Sequence, residues 1–93
     1  MVSEKQFQES VRQVATKTGW LYYHTFDSRK CPAGFPDCVL VRGQRVIFAE
    51  LKAQDGTVSL EQKLWLEALA KIHGNEVYIW RPDDFAEICE LLK

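Results

Sequence analysis

The sequence predicts an α/β fold in which a mixed central sheet is flanked by helices, in the order αβββαβα. Ser-x-x-Gln capping boxes at Ser3 and Ser59 each precede apolar residues at helical spacing, which indicates two helices. Short runs rich in β-branched and aromatic residues lie after these segments and indicate strands. The 93 residues, of which 46% are apolar and 27% charged, are typical of one globular domain over residues 1–93.

The boundaries of the elements follow from caps, turns and breakers. The first helix starts at Ser3 and reaches about Lys17, and the second starts at Ser59 and reaches Ile72. The turn at 42–45 is so short that the strands on either side of it form an antiparallel hairpin. The predicted strands cover residues 20–26, 38–41, 46–53 and 77–80, a loop covers 27–36, and the last helix, opened by Pro82, covers 83–92.

Several features argue against other classes of protein. No apolar run is long enough to cross a membrane, and no signal peptide is visible, so we expect a cytoplasmic location. Cys31, Cys38 and Cys89 form no Cys-x-x-Cys pair, which argues against a disulfide framework and a four-thiolate zinc site. A zinc site built from His24, Cys31 and Cys38 is disfavoured because Cys38 opens an apolar strand, where a buried thiol is ordinary.

Charge is unevenly distributed along the chain, although the net charge is only -1. Residues 28–53 contain five basic and two acidic side chains, whereas residues 76–93 contain five acidic and two basic ones. A basic stretch in the middle of the chain favours a polyanionic partner, and a merely solvated surface is the alternative interpretation.

Three charged side chains are predicted to meet at the end of the hairpin. Glu50 and Lys52 lie two residues apart on one strand and project from the same face, while Leu51 points to the other face. Asp37 begins the partner strand, and the similar strand lengths place it opposite Glu50. Two adjacent carboxylates repel each other unless a cation lies between them, and Mg²⁺ prefers carboxylate oxygens. The main-chain carbonyl of Leu51 points to the same region and is a further candidate ligand.

A purely structural interpretation of these residues is also available. Glu50 and Lys52 can form an exposed ion pair on the strand, and Asp37 can be an ordinary turn residue after Pro36. The strand around Glu50 is apolar on both faces, however, and is therefore expected to be central, where a charge needs a specific reason.

These residues belong to a longer pattern that resembles the VRR-NUC domain of the PD-(D/E)XK nuclease superfamily. The pattern consists of Gly34-Phe35-Pro36-Asp37, residues 46–52, Ser59-x-x-Gln62 and residues 77–82. It covers nearly the whole chain, and the predicted order of elements agrees with it. The resemblance implies a restriction-endonuclease-like core and a DNA endonuclease that depends on Mg²⁺ or Mn²⁺.

The resemblance also implies a role for each residue at the end of the hairpin. Asp37, Glu50 and the Leu51 carbonyl would bind the metal ion. Lys52 would hold the attacking water or stabilise the negative charge that develops in the reaction.

The family places a glutamate of the first helix beside the metal, and Glu4 and Glu9 are the candidates. We expect Glu4, because it lies on the apolar stripe of the helix and Glu9 lies on the opposite side. Gln8, one turn further along, is a possible partner for Glu4. The alternative is that Glu4 is simply an acidic residue in the first turn, where the helix dipole favours it.

The remaining expected site residues each have two interpretations. Gln62 is expected in the active site, but it is also the residue that completes the capping box of Ser59. His24 is a candidate for contact with phosphate or water, or a packed strand histidine. Arg29 and Lys30 suit contacts with the DNA backbone that do not read sequence, or are ordinary loop charges.

The leading hypothesis is therefore a metal-dependent DNA endonuclease. The alternatives are a catalytically silent nucleic-acid-binding module and a structural or interaction domain, both disfavoured by the intact acids. We further expect a homodimer that acts on branched DNA such as four-way (Holliday) junctions, because two sites related by a two-fold axis match the symmetry of a junction. Small members of the family suggest a phage origin, which would place the protein in the host cytoplasm.

Overall fold

The computed structural model describes residues 2–25 and 31–93. Within these ranges the chain forms one four-stranded sheet, with three α-helices around it. The strands are β1 (Leu21–His24), β2 (Cys38–Arg42), β3 (Arg45–Leu51) and β4 (Asn75–Trp80), and the helices are α1 (Glu4–Lys17), α2 (Leu60–Ala70) and α3 (Phe85–Leu92). The strands lie in the order β1-β2-β3-β4, antiparallel from β1 to β3 and parallel between β3 and β4. The predicted mixed sheet and the order αβββαβα are confirmed.

The structure moves several predicted boundaries. β3 ends at Leu51 and not at residue 53, because the chain then turns over residues 53–56. β4 begins at Asn75, two residues earlier than predicted, since Asn75 and Glu76 pair with Val46 and Ile47 in the parallel ladder. A short 3₁₀ helix over Pro82–Asp84 precedes α3, which starts at Phe85. β1 ends at His24, and the predicted strand residue Phe26 lies outside the described residues.

Both predicted capping boxes form. At α1 the Gln6 N–H donates to Ser3 Oγ at 3.1 Å, and the Ser3 N–H donates to Gln6 Oε1 at 3.0 Å. At α2 the Gln62 N–H donates to Ser59 Oγ at 3.2 Å, and the Ser59 N–H donates to Gln62 Oε1 at 2.9 Å. These bonds satisfy N–H groups that have no partner within a helix, and they fix where each helix begins.

The two faces of the sheet are covered by different helices. One face, which we call the α1 face, packs against α1 and α3 and carries the buried core. The other, the α2 face, packs against α2 and the loop before β2. Because side chains alternate along β3, Ala49 and Leu51 point to the α1 face, whereas Glu50 and Lys52 point to the α2 face. The core residues of the α1 face include Phe7, Val11, Ala15, Leu40, Ile47, Ile88 and Leu92.

The β2–β3 hairpin has two ends, which differ in chemistry. At its turn end Arg42 pairs with Arg45, and Gly43 takes a positive φ of 59° in the connection. At its open end β2 begins and β3 finishes, next to Asp37 and Glu50. α1 runs from the open end towards the turn end, where the carbonyl of Thr18 accepts a hydrogen bond from Arg42 Nη1 at 2.8 Å. No helix within the described residues is long and apolar enough to cross a membrane.

Candidate active site

Asp37 and Glu50 face each other at the open end of the hairpin. The register pairs Cys38 with Ala49, so that one further step places Asp37 opposite Glu50 on the α2 face, as the strand lengths predicted. Asp37 Oδ2 accepts a hydrogen bond from the Leu51 N–H at 2.8 Å. This bond ties the carboxylate of the loop to the end of β3, so that its position is fixed by main chain.

Glu50 is the one charged residue that is buried in the part of the chain that the structure describes. It is 1% exposed, and its Oε2 accepts a hydrogen bond from Gln62 Nε2 at 2.6 Å. Its Oε1 is buried and has no hydrogen-bond partner among the described residues. Burial, together with the nearby charge of Asp37, raises the pKa of Glu50 to about 7, and the positive charge of Lys52 opposes the shift. A buried carboxyl in this state would be stabilised by a cation at its unpaired oxygen.

Lys52 lies on the same face as Glu50, as predicted. Its Nζ is 3.7 Å from Glu50 Oε2, and its side chain is 16% exposed. The Lys52 N–H donates to the Trp80 carbonyl at 3.0 Å, which keeps the chain beside β4 after the strand ends. The ammonium is therefore held beside Glu50, while the lysine side chain stays partly exposed.

The turn at residues 53–56 is held by Arg81, a contact that sequence reasoning missed. Arg81 Nη1 donates to the carbonyls of Ala53, Gln54 and Gly56 at 2.8, 3.2 and 2.7 Å. A Cβ placed on Gly56 would lie 3.6 Å from Lys52 Cδ, so the turn lies directly beside the lysine side chain. The available signal was a basic residue at the end of the strand next to β3, but the sequence does not show which carbonyls it reaches.

Gln62 serves both of the functions that the sequence presented as alternatives. Its Oε1 completes the capping box at Ser59, while its Nε2 donates to Glu50 Oε2. The two are compatible because the amide group has an acceptor at one side and donors at the other. The N-terminus of α2 thereby orients the buried carboxyl.

The loop that leads to Asp37 is packed tightly against α2. Phe35 makes edge-to-face contacts with Phe48 and Trp65, with ring centroids 6.2 and 5.1 Å apart. Gly34 has a φ of 102°, and a Cβ there would lie 2.6 Å from the main chain of Glu61. Only glycine allows this approach, which brings the loop, Gln62 and Asp37 together.

The structure does not bring Glu4 to the two acids. Glu4 is exposed at the first residue of α1, which packs on the face of the sheet opposite to Glu50. The described residues contain no group of three or more His, Cys, Asp or Glu side chains that could hold a metal ion. The apolar spacing correctly predicted the buried stripe of α1, but the stripe starts at Phe7, so Glu4 precedes the part of the helix that contacts the sheet.

Glu9 and Gln8 lie beside β1. Glu9 is exposed, in keeping with its position opposite the buried stripe of α1, and with Gln8, Tyr22 and His24 it lines an open cavity of about 410 Å³. Glu9 forms an exposed ion pair with Arg12, which lowers the pKa of its carboxyl. Neither glutamate of α1 belongs to the group at the open end.

The remaining predicted residues are distributed as follows. His24 pairs with Cys38 and therefore projects from the α1 face, away from Lys52. Arg29 and Lys30 lie outside the described residues. In an extended strand the N–H and C=O of one residue point to the same side, so the Leu51 carbonyl faces the same side as the N–H that contacts Asp37.

The residues present at the open end fit a divalent cation. Two carboxylates and a main-chain carbonyl are oxygen donors of the kind that Mg²⁺ and Mn²⁺ prefer, and one carboxylate oxygen is buried without a partner in the described chain. The set is small, which suits Mg²⁺, because that ion usually keeps several of its waters and binds one or two carboxylates.

Comparisons with known proteins identify the family and the fold of this chain. The VRR-NUC domain family model matches residues 1–82. A solved structure named "VRR_NUC domain protein" superposes with a TM-score of 0.63 at 18% sequence identity, and the match covers 91% of this chain and 85% of that chain. At this identity the likeness shows a shared fold. Comparison with curated proteins gives no match. Because the family model spans most of the sequence, the chain belongs to the VRR-NUC family of nuclease domains.

Proposed function

We propose that the protein is a Mg²⁺- or Mn²⁺-dependent DNA endonuclease that hydrolyses phosphodiester bonds. The observation that carries the proposal is the Glu50 carboxyl, which is buried beside Asp37 and has an oxygen without a partner in the described chain. A fold under selection for stability alone would replace such a residue, because a buried carboxylate oxygen without a partner costs about 1–3 kcal/mol, a substantial fraction of the net stability of a small domain.

Asp37, Glu50 and the Leu51 carbonyl would hold the cation. When bound, the cation supplies Lewis acidity towards a phosphate oxygen and makes a bound water more acidic. The protein contributes the positions of its own groups: the Leu51 N–H fixes Asp37, and Gln62 fixes Glu50. These contacts hold both carboxylates in place before substrate arrives, so that little reorganisation is needed during the reaction.

Lys52 is proposed to act on the reaction itself. Its ammonium is 3.7 Å from Glu50 Oε2 and its side chain is partly exposed, which suits contact with a phosphate bound in front of the two acids. A positive charge there stabilises the negative charge that develops on the phosphate oxygens, or orients the attacking water by donating a hydrogen bond to it. The Arg81-bound turn behind Lys52 restricts where the ammonium can go.

The proposed substrate is DNA, with branched forms such as four-way junctions preferred. The basic bias of residues 28–53 supports a polyanionic ligand, and Arg29 and Lys30 are proposed to contact phosphates. A homodimer would present two sites to two strands. Exposed apolar side chains on the α2 face of β1 and β2, Leu21 at 75%, Tyr23 at 63% and Val41 at 38%, support a surface available for association.

The test is cleavage of a supercoiled plasmid and of a synthetic four-way junction, with Mg²⁺, Mn²⁺ or EDTA. We expect cleavage with either metal, no cleavage with EDTA, and faster cutting of the junction than of a plain duplex of the same length. Absence of cleavage with both metals, combined with intact DNA binding, would instead identify a silent binding module. Sedimentation equilibrium at micromolar concentration tests the dimer separately.

A further inference from the structure

Thr25 lies next to the two acids, at the end of the neighbouring strand. Its N–H donates a hydrogen bond to the Asp37 carbonyl at 2.7 Å, which continues the β1–β2 ladder beyond the His24–Cys38 pair. In this register Thr25 lies opposite Asp37, just as Asp37 lies opposite Glu50. Thr25, Asp37 and Glu50 therefore form a row across three strands, and all three side chains project from the α2 face.

The Thr25 hydroxyl is buried and lacks a partner. Its Oγ1 makes no hydrogen bond to any described residue, which is also true of Glu50 Oε1. By contrast, the hydroxyls of Thr16 and Thr18 both donate to main-chain carbonyls one turn earlier in α1. Leaving a buried hydroxyl unpaired is unfavourable. Two such oxygens flank Asp37, one on each neighbouring strand, and no described residue satisfies either of them, which favours a bound ligand as their partner.

We propose that the Thr25 hydroxyl is a further part of the cation site that acts through a water ligand of the ion, an inference that rests on the proposed function. Adjacent strands lie about 4.8 Å apart, so Thr25 and Glu50, two strands from each other, are too distant to touch one ion directly. Mg²⁺ and Mn²⁺ retain water ligands, and the hydroxyl hydrogen-bonds to one of these waters on the Asp37 side. A neutral donor suits this position, because a third carboxylate would add repulsion to the existing pair.

The inference is tested by calorimetric titration of Mn²⁺ into the protein without DNA. Thr25→Val keeps the shape of the side chain and removes the hydroxyl, whereas Thr25→Ser keeps the hydroxyl. We expect the valine variant to bind Mn²⁺ about tenfold more weakly and the serine variant to bind within about twofold of wild type. Thr16→Val, which alters an exposed hydroxyl on α1, serves as the matched control and should bind as wild type does.

Thermal unfolding without metal distinguishes this function from a structural one. Because Thr25 Oγ1 has no partner in the described chain, the valine variant should unfold at the same or a higher temperature than wild type, and only the stabilisation by Mn²⁺ should shrink. Unchanged Mn²⁺ affinity in Thr25→Val would overturn the inference while leaving the proposed function intact, provided that Asp37→Asn still abolishes binding. If wild type binds no Mn²⁺, or Asp37→Asn binds it normally, both the metal site and this inference fail.

Discussion

The two ends of the β2–β3 hairpin use charged residues in opposite ways. At the turn end, Arg45 makes a two-pronged pair with Glu76 at 2.8 and 2.7 Å, and Arg42 donates to the carbonyls of Thr18 and Leu92 at 2.8 and 2.9 Å. Both guanidinium groups also lie over the ring of Trp20, at 4.5 and 4.9 Å. Each charged group there meets an opposite charge, a carbonyl or a π face.

At the open end the same hairpin brings like charges together. Asp37 lies opposite Glu50, a single ammonium lies 3.7 Å from Glu50, and one carboxylate oxygen has no partner in the described chain. The arrangement at the turn end favours folding stability, since both guanidinium groups have partners there. At the open end the repulsion between Asp37 and Glu50 opposes folding, and such an arrangement is typical of a functional site. The comparison predicts that variants at the two ends have opposite effects.

The largest expected effect is on cleavage. Asp37→Asn and Glu50→Gln should each lower the cleavage rate by on the order of 10³-fold or more, because each removes a charge that holds the metal. DNA affinity should stay equal or rise, since both acids repel phosphate. Glu76→Gln, the matched change at the turn end, should cleave within about twofold of wild type. The rates are measured on one junction substrate, and near-normal cleavage by either open-end variant would contradict the assignment.

Lys52→Ala should also be inactive, with a different underlying defect. The ammonium acts on the reaction and not on the ion, so we expect loss of cleavage on the order of 10²- to 10³-fold with Mn²⁺ binding retained or strengthened. Cleavage and Mn²⁺ calorimetry on the same preparation separate the two defects. Parallel loss of metal binding and cleavage would show that Lys52 only supports the site.

Glu50→Gln, which should lower the cleavage rate, should raise the stability of the protein. In metal-free protein the pKa of Glu50 is raised from its ordinary 4.5 to about 7, so the folded state binds this proton more tightly than the unfolded chain does. The stabilisation of the folded state by this tighter proton binding is complete below pH 4.5 and is lost as the pH rises through about 7. Glu50→Gln should therefore stabilise the protein at pH 8, by on the order of 2 kcal/mol, and flatten the dependence on pH between 5 and 8.

The matched stability control again lies at the turn end. Glu76→Gln removes the half-exposed ion pair with Arg45 and should destabilise the protein by about 0.5–1 kcal/mol. Urea unfolding with EDTA, repeated from pH 5 to pH 8, measures both variants. Destabilisation by Glu50→Gln at pH 8 would show that ionised Glu50 stabilises the folded protein, which would contradict this comparison of the two ends.

The smallest expected effect concerns DNA binding. Arg29→Ala and Lys30→Ala should each weaken affinity only a few-fold, equally for unrelated duplex sequences, and should reduce its salt dependence. Fluorescence anisotropy over a range of salt concentrations checks this. A loss that depends on the sequence of the duplex would show that these residues read bases.

Much of the fold could be predicted because its signals are local. The short connection at 42–45 required a hairpin, and the alternation along residues 46–52 placed Glu50 and Lys52 on one face and Leu51 on the other. The start of β4 could not be predicted, since Asn75 and Glu76 look like loop residues until β3 is present to pair with them. Parallel pairing of distant segments leaves no local trace in the sequence.

The site could be predicted only in part, for a similar reason. Asp37, Glu50 and Lys52 lie on two adjoining strands, so spacing was enough to group them. Gln62 was expected in the site from the family resemblance. The contacts of Arg81 and Thr25 depend on how β4 and β1 pack beside that hairpin, which single residues of common type do not reveal. Glu4 was placed wrongly beside the acids, because a helical stripe predicts the direction of a side chain but not where along the sheet the helix lies.

The most direct test of the central claim is paramagnetic broadening of amide NMR signals by trace Mn²⁺. The open and turn ends lie about 20 Å apart along β3, judging from about 3.3 Å per residue, so one bound ion affects them very differently. We predict early loss of the Cys38 and Leu51 signals, while those of Arg42 and Gln44 persist, and no selective loss in Asp37→Asn. Broadening that spares the open end, or that is identical in wild type and Asp37→Asn, would contradict a cation site formed by these two acids.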